Sequence, residues 1–147
     1  MFSIREVTQD DRPLIFATWL RSFKHGSSWP RHIPDRLYFD AHHSVIDALL
    51  ARSTVRVATP PDEPEVILGW SVVETSPSMS VIHYIYVKPA FRQAGIARAL
   101  LSTLPESVPV YYSHESYTSR LPGIAKHMKR WAFYPYAAVR HAAAIEE

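Results

Sequence analysis

The sequence predicts one α/β domain whose helices pack on a mostly antiparallel sheet. Two observations carry that expectation. Short runs of alternating apolar and polar residues, the pattern of half-buried strands, are interleaved with stretches whose apolar residues recur every three or four positions, the pattern of helices. Prolines and glycines fall at the boundaries between the two patterns, where the chain must turn. The resulting order is β-α-α-β-β-β-α-β-α-β, a mixed α/β arrangement.

Residues 2–7 alternate Phe, Ile and Val with polar residues and read as the first strand. Thr8 and Asp11 then stand at capping-box spacing, and Pro13 suits a first helical turn. Ile15, Trp19 and Phe23 recur every four residues, so a helix runs to about Lys24 and is broken by His25-Gly26-Ser27-Ser28-Trp29-Pro30. Pro34-Asp35 opens a second helix, with Tyr38, His42, Val45, Ile46 and Leu49 on one face. Strands are expected at 55–59, 65–74 and 79–87, forming an antiparallel meander with Ser76-Pro77-Ser78 as its second turn. Pro89 ends the last of these. Gly95 opens a helix with Ile96, Leu100, Leu101 and Leu104 on one face, and residues 108–113 read as a further strand. Leu121, Ile124, Ala125, Met128 and Trp131 have helical spacing. Residues 133–139 read as a closing strand, which Pro135 assigns to an edge.

The 147 residues fit a single domain spanning 1–147, and 47% apolar content is enough for one core. No run approaches membrane-spanning length, and the N-terminus lacks a basic region followed by an apolar segment, so a cytoplasmic protein with no membrane partner is expected. The absence of cysteine excludes disulfides, thiolate metal ligands and a cysteine nucleophile. A net charge of +2 and a pI near 9.0 suit an anionic cofactor but argue only weakly for nucleic acid. His42 and His43 are adjacent on a helix and point to different faces, and no His-Glu-x-x-His is present, so no metal is expected.

The most informative stretch is His83-Tyr84-Ile85-Tyr86-Val87-Lys88-Pro89-Ala90-Phe91-Arg92-Gln93-Ala94-Gly95-Ile96-Ala97-Arg98, in which a strand runs through a basic turn into a helix. The first N–H groups of a helix lack internal partners and carry partial positive charge. A phosphate can accept several of them. Gly95 and Ala97 keep side chains out of the way, while Arg92 and Arg98 add cationic charge. There is no Gly-x-Gly-x-x-Gly and no Gly-Lys-Ser, so this is neither a dinucleotide nor a mononucleotide loop.

This segment resembles the acetyl-CoA signature of the GNAT N-acetyltransferases: Arg or Gln, two residues, Gly, one residue, then Gly or Ala. Arg92, Gly95 and Ala97 fill it, with Val87, Pro89 and Phe91 as the usual context. Trp131-Ala132-Phe133-Tyr134-Pro135 is similar to the family's closing Gly-Phe-x-Pro, with Ala132 in the glycine place. The resemblance implies a central sheet with helices on both faces and acetyl-CoA as cofactor. The backbone of Gln93, Ala94, Gly95, Ile96, Ala97 and Arg98 would hold its pyrophosphate. The strand ending Ile85-Tyr86-Val87 would bond the pantetheine arm where it parts from the 108–113 strand. It further implies direct transfer of the acetyl group to a primary amine, small molecule or peptide, without an acyl-enzyme.

Such transfer needs an uncharged amine, hence a proton acceptor. His83 is the first choice, because an imidazole titrates near neutrality and the stretch from His83 to Gly95 is similar to arylalkylamine N-acetyltransferases, where a histidine in this place removes the proton through water. The other reading is an inert histidine on the opposite side of the sheet. Glu74, at the end of the preceding strand, is a second choice, or else a solvated strand end. The tyrosine that protonates the leaving sulfur in many members is replaced by Met128, which cannot donate a proton, so either Tyr112, Tyr117 or Tyr134 takes that role or the thiolate leaves unassisted. Trp29, Tyr38 and Ser22 are the expected acceptor-side residues, while Trp19 and Phe23 read as core. The alternatives are a silent acyl-CoA-binding module, a transferase acting on a nucleic-acid base, and a nucleotide-binding domain without transfer chemistry. The late strand at 133–139 could support a homodimer.

Overall fold

The computed structural model describes residues 1–92, 94–116 and 131–139. One sheet of six strands runs in sequence order: β1 (Ser3–Glu6), β2 (Thr54–Thr59), β3 (Gly69–Thr75), β4 (Ser80–Val87), β5 (Val110–Tyr112) and β6 (Ala132–Phe133). β1 through β4 pair antiparallel, as the meander requires. β4–β5 and β5–β6 are parallel. The helices among the described residues are α1 (Arg12–Gly26), α2 (Asp35–Arg52) and α3 (Ile96–Leu100). The expected helix carrying Leu121, Ile124, Ala125 and Met128 lies outside the described residues.

The helices cover both faces of the sheet. α1 and α2 bury Ile15, Trp19, Phe23, Ile46 and Leu49 against Val57, Trp70, Val72 and Tyr84. α3 buries Ile96 and Leu100 on the other face, against Leu68, Ile82, Ile85 and Val87. Each such side chain removed from water contributes roughly 1.5–3 kcal/mol. The entry to α1 is fixed by Asp11, which accepts from the Thr8 N–H at 2.7 Å and from both terminal nitrogens of Arg5 at 2.7 and 2.9 Å. This pairing holds the Asp11 carboxyl below its usual range and ties the first helix to β1. The break after α1 is closed by the buried Lys24, whose ammonium donates to the carbonyls of Pro30 and Ile33.

Several elements are shorter than the sequence pattern predicts, β5 by three residues. β3 begins at Gly69 and not at residue 65, because Val66 N–H turns back onto Glu63 O. α3 ends at Leu100 and continues to Leu104 only as hydrogen-bonded turns. The expected closing strand at 133–139 reduces to Ala132–Phe133, and Pro135–Ala138 forms a 3₁₀ turn. Pro135 has no N–H to give a ladder, so the apolar run there curls against Met79 and Val81 through Ala137.

Candidate active site

β3 and β4 slip by one residue at a single point: Val72 faces Tyr84, whereas Val73 faces Ile82. His83 is the extra residue of a β-bulge. Bulges re-aim side chains, and this one inverts the alternation of the strand. Ile82 packs with Ile85 and Val87 on the α3 side, whereas Tyr84 packs on the α1/α2 side. His83 is fully buried beside it.

The ring of His83 is bonded at both nitrogens. Nε2 is 2.8 Å from Glu74 Oε1 and Nδ1 is 2.8 Å from Ser113 Oγ. Arg52, from the end of α2, donates from Nε to the same Glu74 oxygen at 3.1 Å and from Nη2 to the carbonyls of Ala137 and Ala138. Glu74 is therefore a buried carboxylate with a cationic partner, and not a solvated strand end. On the other side, Ser113 Oγ is 2.9 Å from His114 Nδ1, and His114 Nε2 is 3.0 Å from His42 Nε2. Six side chains from α2, β3, β4 and the segment after β5 thus form one continuous hydrogen-bonded line.

Burial keeps the three imidazoles uncharged. It lowers His83, with Glu74 opposing and Arg52 reinforcing the effect. It lowers His114 well below the ordinary value, with His42 and His83 adding to the effect. It lowers His42 to about 4.

The outer end of the line reaches a pocket of about 190 Å³. Phe23, Trp29, Val45, Phe133 and Val139 give it an apolar wall, and His42 is among its polar lining. Ser113, His114 and Glu115 line it where the chain leaves β5. Trp29 is 53% exposed and sits edge-on to Phe23 at 5.7 Å. The other two acceptor-side expectations fall elsewhere. Tyr38 is buried, donates to Leu20 O at 2.6 Å and does not line the pocket. Ser22 pairs with the Tyr84 hydroxyl at 2.7 Å, inside the α1–sheet interface. Trp19 lies in the core, stacked on Tyr84.

β5 pairs with β4 only at Ser80, Val81 and Ile82. Beyond the bond from Ser113 N–H to Ile82 O there is no further β4–β5 pairing among the described residues; Ile85, Tyr86 and Val87 lie past that point, and Ser116 Oγ is 3.5 Å from Ile85 O. At the far end of β4 Arg92 Nε donates to Val87 O at 2.9 Å and anchors the turn. Gly95 has φ +85°, the left-handed region, and a Cβ there would meet nothing within 4 Å. Ile96, Ala97 and Arg98 follow as α3, with Ala94 in the turn before them; Gln93 lies outside the described residues. Tyr112 is half-buried on β5 and stacks on Phe133 at 5.2 Å, and burial with the nearby Glu115 raises its phenol. Tyr134 donates its N–H to Tyr112 O. Met128 and Tyr117 lie outside the described residues.

Sequence reasoning named His83 and Glu74 separately. Their pairing follows from a tight turn at 76–78, which folds β3 back on β4. It did not find Arg52, Ser113 or His114, and it placed His42 near the acceptor-side residues and weighed it as a metal ligand without linking it to His83. His42 and His114 stand 72 residues apart, and no local pattern links them.

No family model matches the chain, and no curated protein matches it. Solved structures do. A candidate acetyl transferase from Pyrococcus furiosus is 18% identical, with 88% of this chain and 91% of that one covered and a TM-score of 0.65. A candidate acetyltransferase from Clostridium difficile 630 is 16% identical, with 88% of each chain covered and a TM-score of 0.56. The chain shares its fold with these two proteins, and the helices on both faces of the sheet are as the sequence resemblance implies. Among the described residues, no helix is long and apolar enough to cross a membrane.

Proposed function

We propose that the protein is an acetyl-CoA-dependent N-acetyltransferase that moves an acetyl group directly to a primary amine. The observation that carries this reading is the end of the β4–β5 pairing at Ile82 among the described residues, beyond which β4 continues through Ile85, Tyr86 and Val87 to the Gly95 turn. An extended, amide-bearing ligand can bond to a strand edge as an added strand would. The residues fit coenzyme A. The turn presents open space at Gly95 and positive charge at Arg92 and Arg98, and the strand Ile85-Tyr86-Val87 leads to it, with Val87 O held by Arg92. Acetyl-CoA, when bound, supplies an acetyl group activated as a thioester.

The chain's own residues then have two tasks. The pocket orients the amine: an apolar cavity of about 150 Å³ holds benzene, so this one suits the single ring or aliphatic end of a small amine or of a peptide terminus. The attacking ammonium must lose a proton, and the buried His83–Glu74 pair is the sink that draws it. The chain's phenolic donor for the leaving sulfur is taken to be Tyr112.

Calorimetric titration with acetyl-CoA, with ATP as control, tests the reading. Saturable binding of acetyl-CoA alone is expected, followed by acetyl transfer to primary amines. Absence of binding would reduce the Gly95 turn to a helix start and remove the enzyme reading. Binding without transfer to any amine would leave an acyl-CoA-binding module.

A further inference from the structure

His83 has no direct access to the pocket. It is fully buried, and both ring nitrogens are occupied, by Glu74 and by Ser113. A proton from an amine in the pocket must therefore reach it through other groups, and one path is built from side chains throughout.

The hydrogen positions along that path follow from its inner end. Glu74, an anion beside Arg52, can only accept, so the His83 Nε2 carries hydrogen. A neutral His83 then accepts at Nδ1, so Ser113 donates its hydroxyl hydrogen there. Ser113 Oγ, its hydrogen committed, accepts from His114 Nδ1–H. A neutral His114 accepts at Nε2, so His42 donates from Nε2. His42 is left with a bare Nδ1, which has no hydrogen-bond partner among the described residues, on a ring that lines the pocket. Every donor in the line points from the pocket toward Glu74.

We infer that His42 receives the proton of the acceptor amine and that His114, Ser113 and His83 relay the charge to Glu74. This rests on the transferase reading of the same site. The transfer balances. The ammonium gives one proton to His42 Nδ1. His42 Nε2 passes its proton to His114 Nε2, His114 Nδ1 to Ser113 Oγ, Ser113 Oγ to His83 Nδ1, and His83 Nε2 to Glu74 Oε1. The amine ends neutral, Glu74 ends protonated, each ring ends as its other tautomer, and no imidazolium persists in the interior. The same line run backward returns the proton to the pocket and so to solvent once product has left. The titratable and charged groups facing the path are Arg52, Glu74 and Glu115, together with Tyr38, which stacks on His42. The His83 carbonyl is a second acceptor near His114.

Two measurements on the intact protein test it. Long-range proton–nitrogen spectra of ¹⁵N-histidine-labelled protein at pH 7 are expected to show neutral rings, with hydrogen on Nε2 of His42, Nδ1 of His114 and Nε2 of His83. Hydrogen on Nε2 of His114 would reverse the line and overturn the proposal. This readout needs neither cofactor nor turnover, so a failed relay is distinguished from a failed transferase reading, which shows as loss of acetyl-CoA binding. The second is the pH profile of transfer to benzylamine, a one-ring amine that fits the pocket. His42→Asn and Ser113→Ala are expected to lower kcat at pH 7 by tenfold or more, with KM for acetyl-CoA unchanged and the deficit closing as pH rises past the amine's own pKa. A deficit that stays constant with pH, or no deficit, would overturn the relay, because a merely structural role is not rescued by supplying free amine.

Discussion

His83 Nε2 lies 2.8 Å from Glu74 Oε1, and the same oxygen accepts from Arg52 Nε at 3.1 Å. One buried carboxylate oxygen thus serves an imidazole and a guanidinium at once. Glu74→Ala takes the counter-charge from a guanidinium that is itself largely buried, and such losses cost about 3–5 kcal/mol. Urea unfolding is expected to show that loss for Glu74→Ala and a smaller one for Glu74→Gln, which keeps an acceptor oxygen at the same place.

The three linked histidines make stability depend on pH. Each has its folded pKa below the unfolded value of 6.5, so between these values the unfolded chain binds more protons. The contribution is complete above pH 6.5 and is lost as pH falls through 6.5 toward the folded values. For His42 alone, falling to about 4, the span corresponds to about 3 kcal/mol. Unfolding at pH 7, 6 and 5 is expected to show a steep decline already below pH 6.5, above the range where carboxylates titrate, and the slope is expected to shrink in His42→Asn.

Gly95 separates two effects that one substitution would merge. At φ +85°, any side chain costs about 1–2 kcal/mol in backbone strain, yet a Cβ meets no neighbour. Gly95→Ala is expected to lose about that much stability and to retain most coenzyme A affinity. Gly95→Glu, with added bulk and negative charge, is expected to lose tenfold or more in affinity with the same stability loss. Calorimetry beside thermal unfolding checks both.

Local signals made most of the fold legible. Proline and glycine marked the turns, and period-two and period-four patterns separated β2, β3 and β4 from α1 and α2. They overreached where an apolar run was buried without joining the ladder, as at Val66 and Ile67 and around Ala137. The turn at Gly95 was legible because its chemistry is contiguous. The hydrogen-bonded line was not, because His42, Glu74, His83 and His114 come from four segments that meet only when the sheet closes. Glu74 in particular keeps phase with Trp70 and Val72 along β3, so alternation puts it on the α1/α2 side, but nothing local shows the imidazole and guanidinium that hold it there.

Trp29 stands at the pocket rim with about half its surface in water. Trp29→Ala is expected to raise KM for a one-ring amine severalfold while changing stability by no more than about 0.5 kcal/mol, as exposed positions do. Steady-state kinetics with benzylamine and a straight-chain amine of equal length would check it, with the larger effect on the ring.

The bulge at His83 also constrains how this strand can be rebuilt. β4 is in effect two half-strands of opposite parity joined at one residue: Val81 and Ile82 follow one frame, Tyr84 through Val87 the other. Deleting His83 would do more than remove an imidazole. It would remove the bulge and leave Ile82 next to Tyr84 in one unbroken alternation, with each half still facing its own helices. The sheet thus closes without the extra residue, which β4 carries for the side chain it adds to the line, whereas a residue inserted or deleted elsewhere inside β4 acts on the molecule as a frameshift acts on a message.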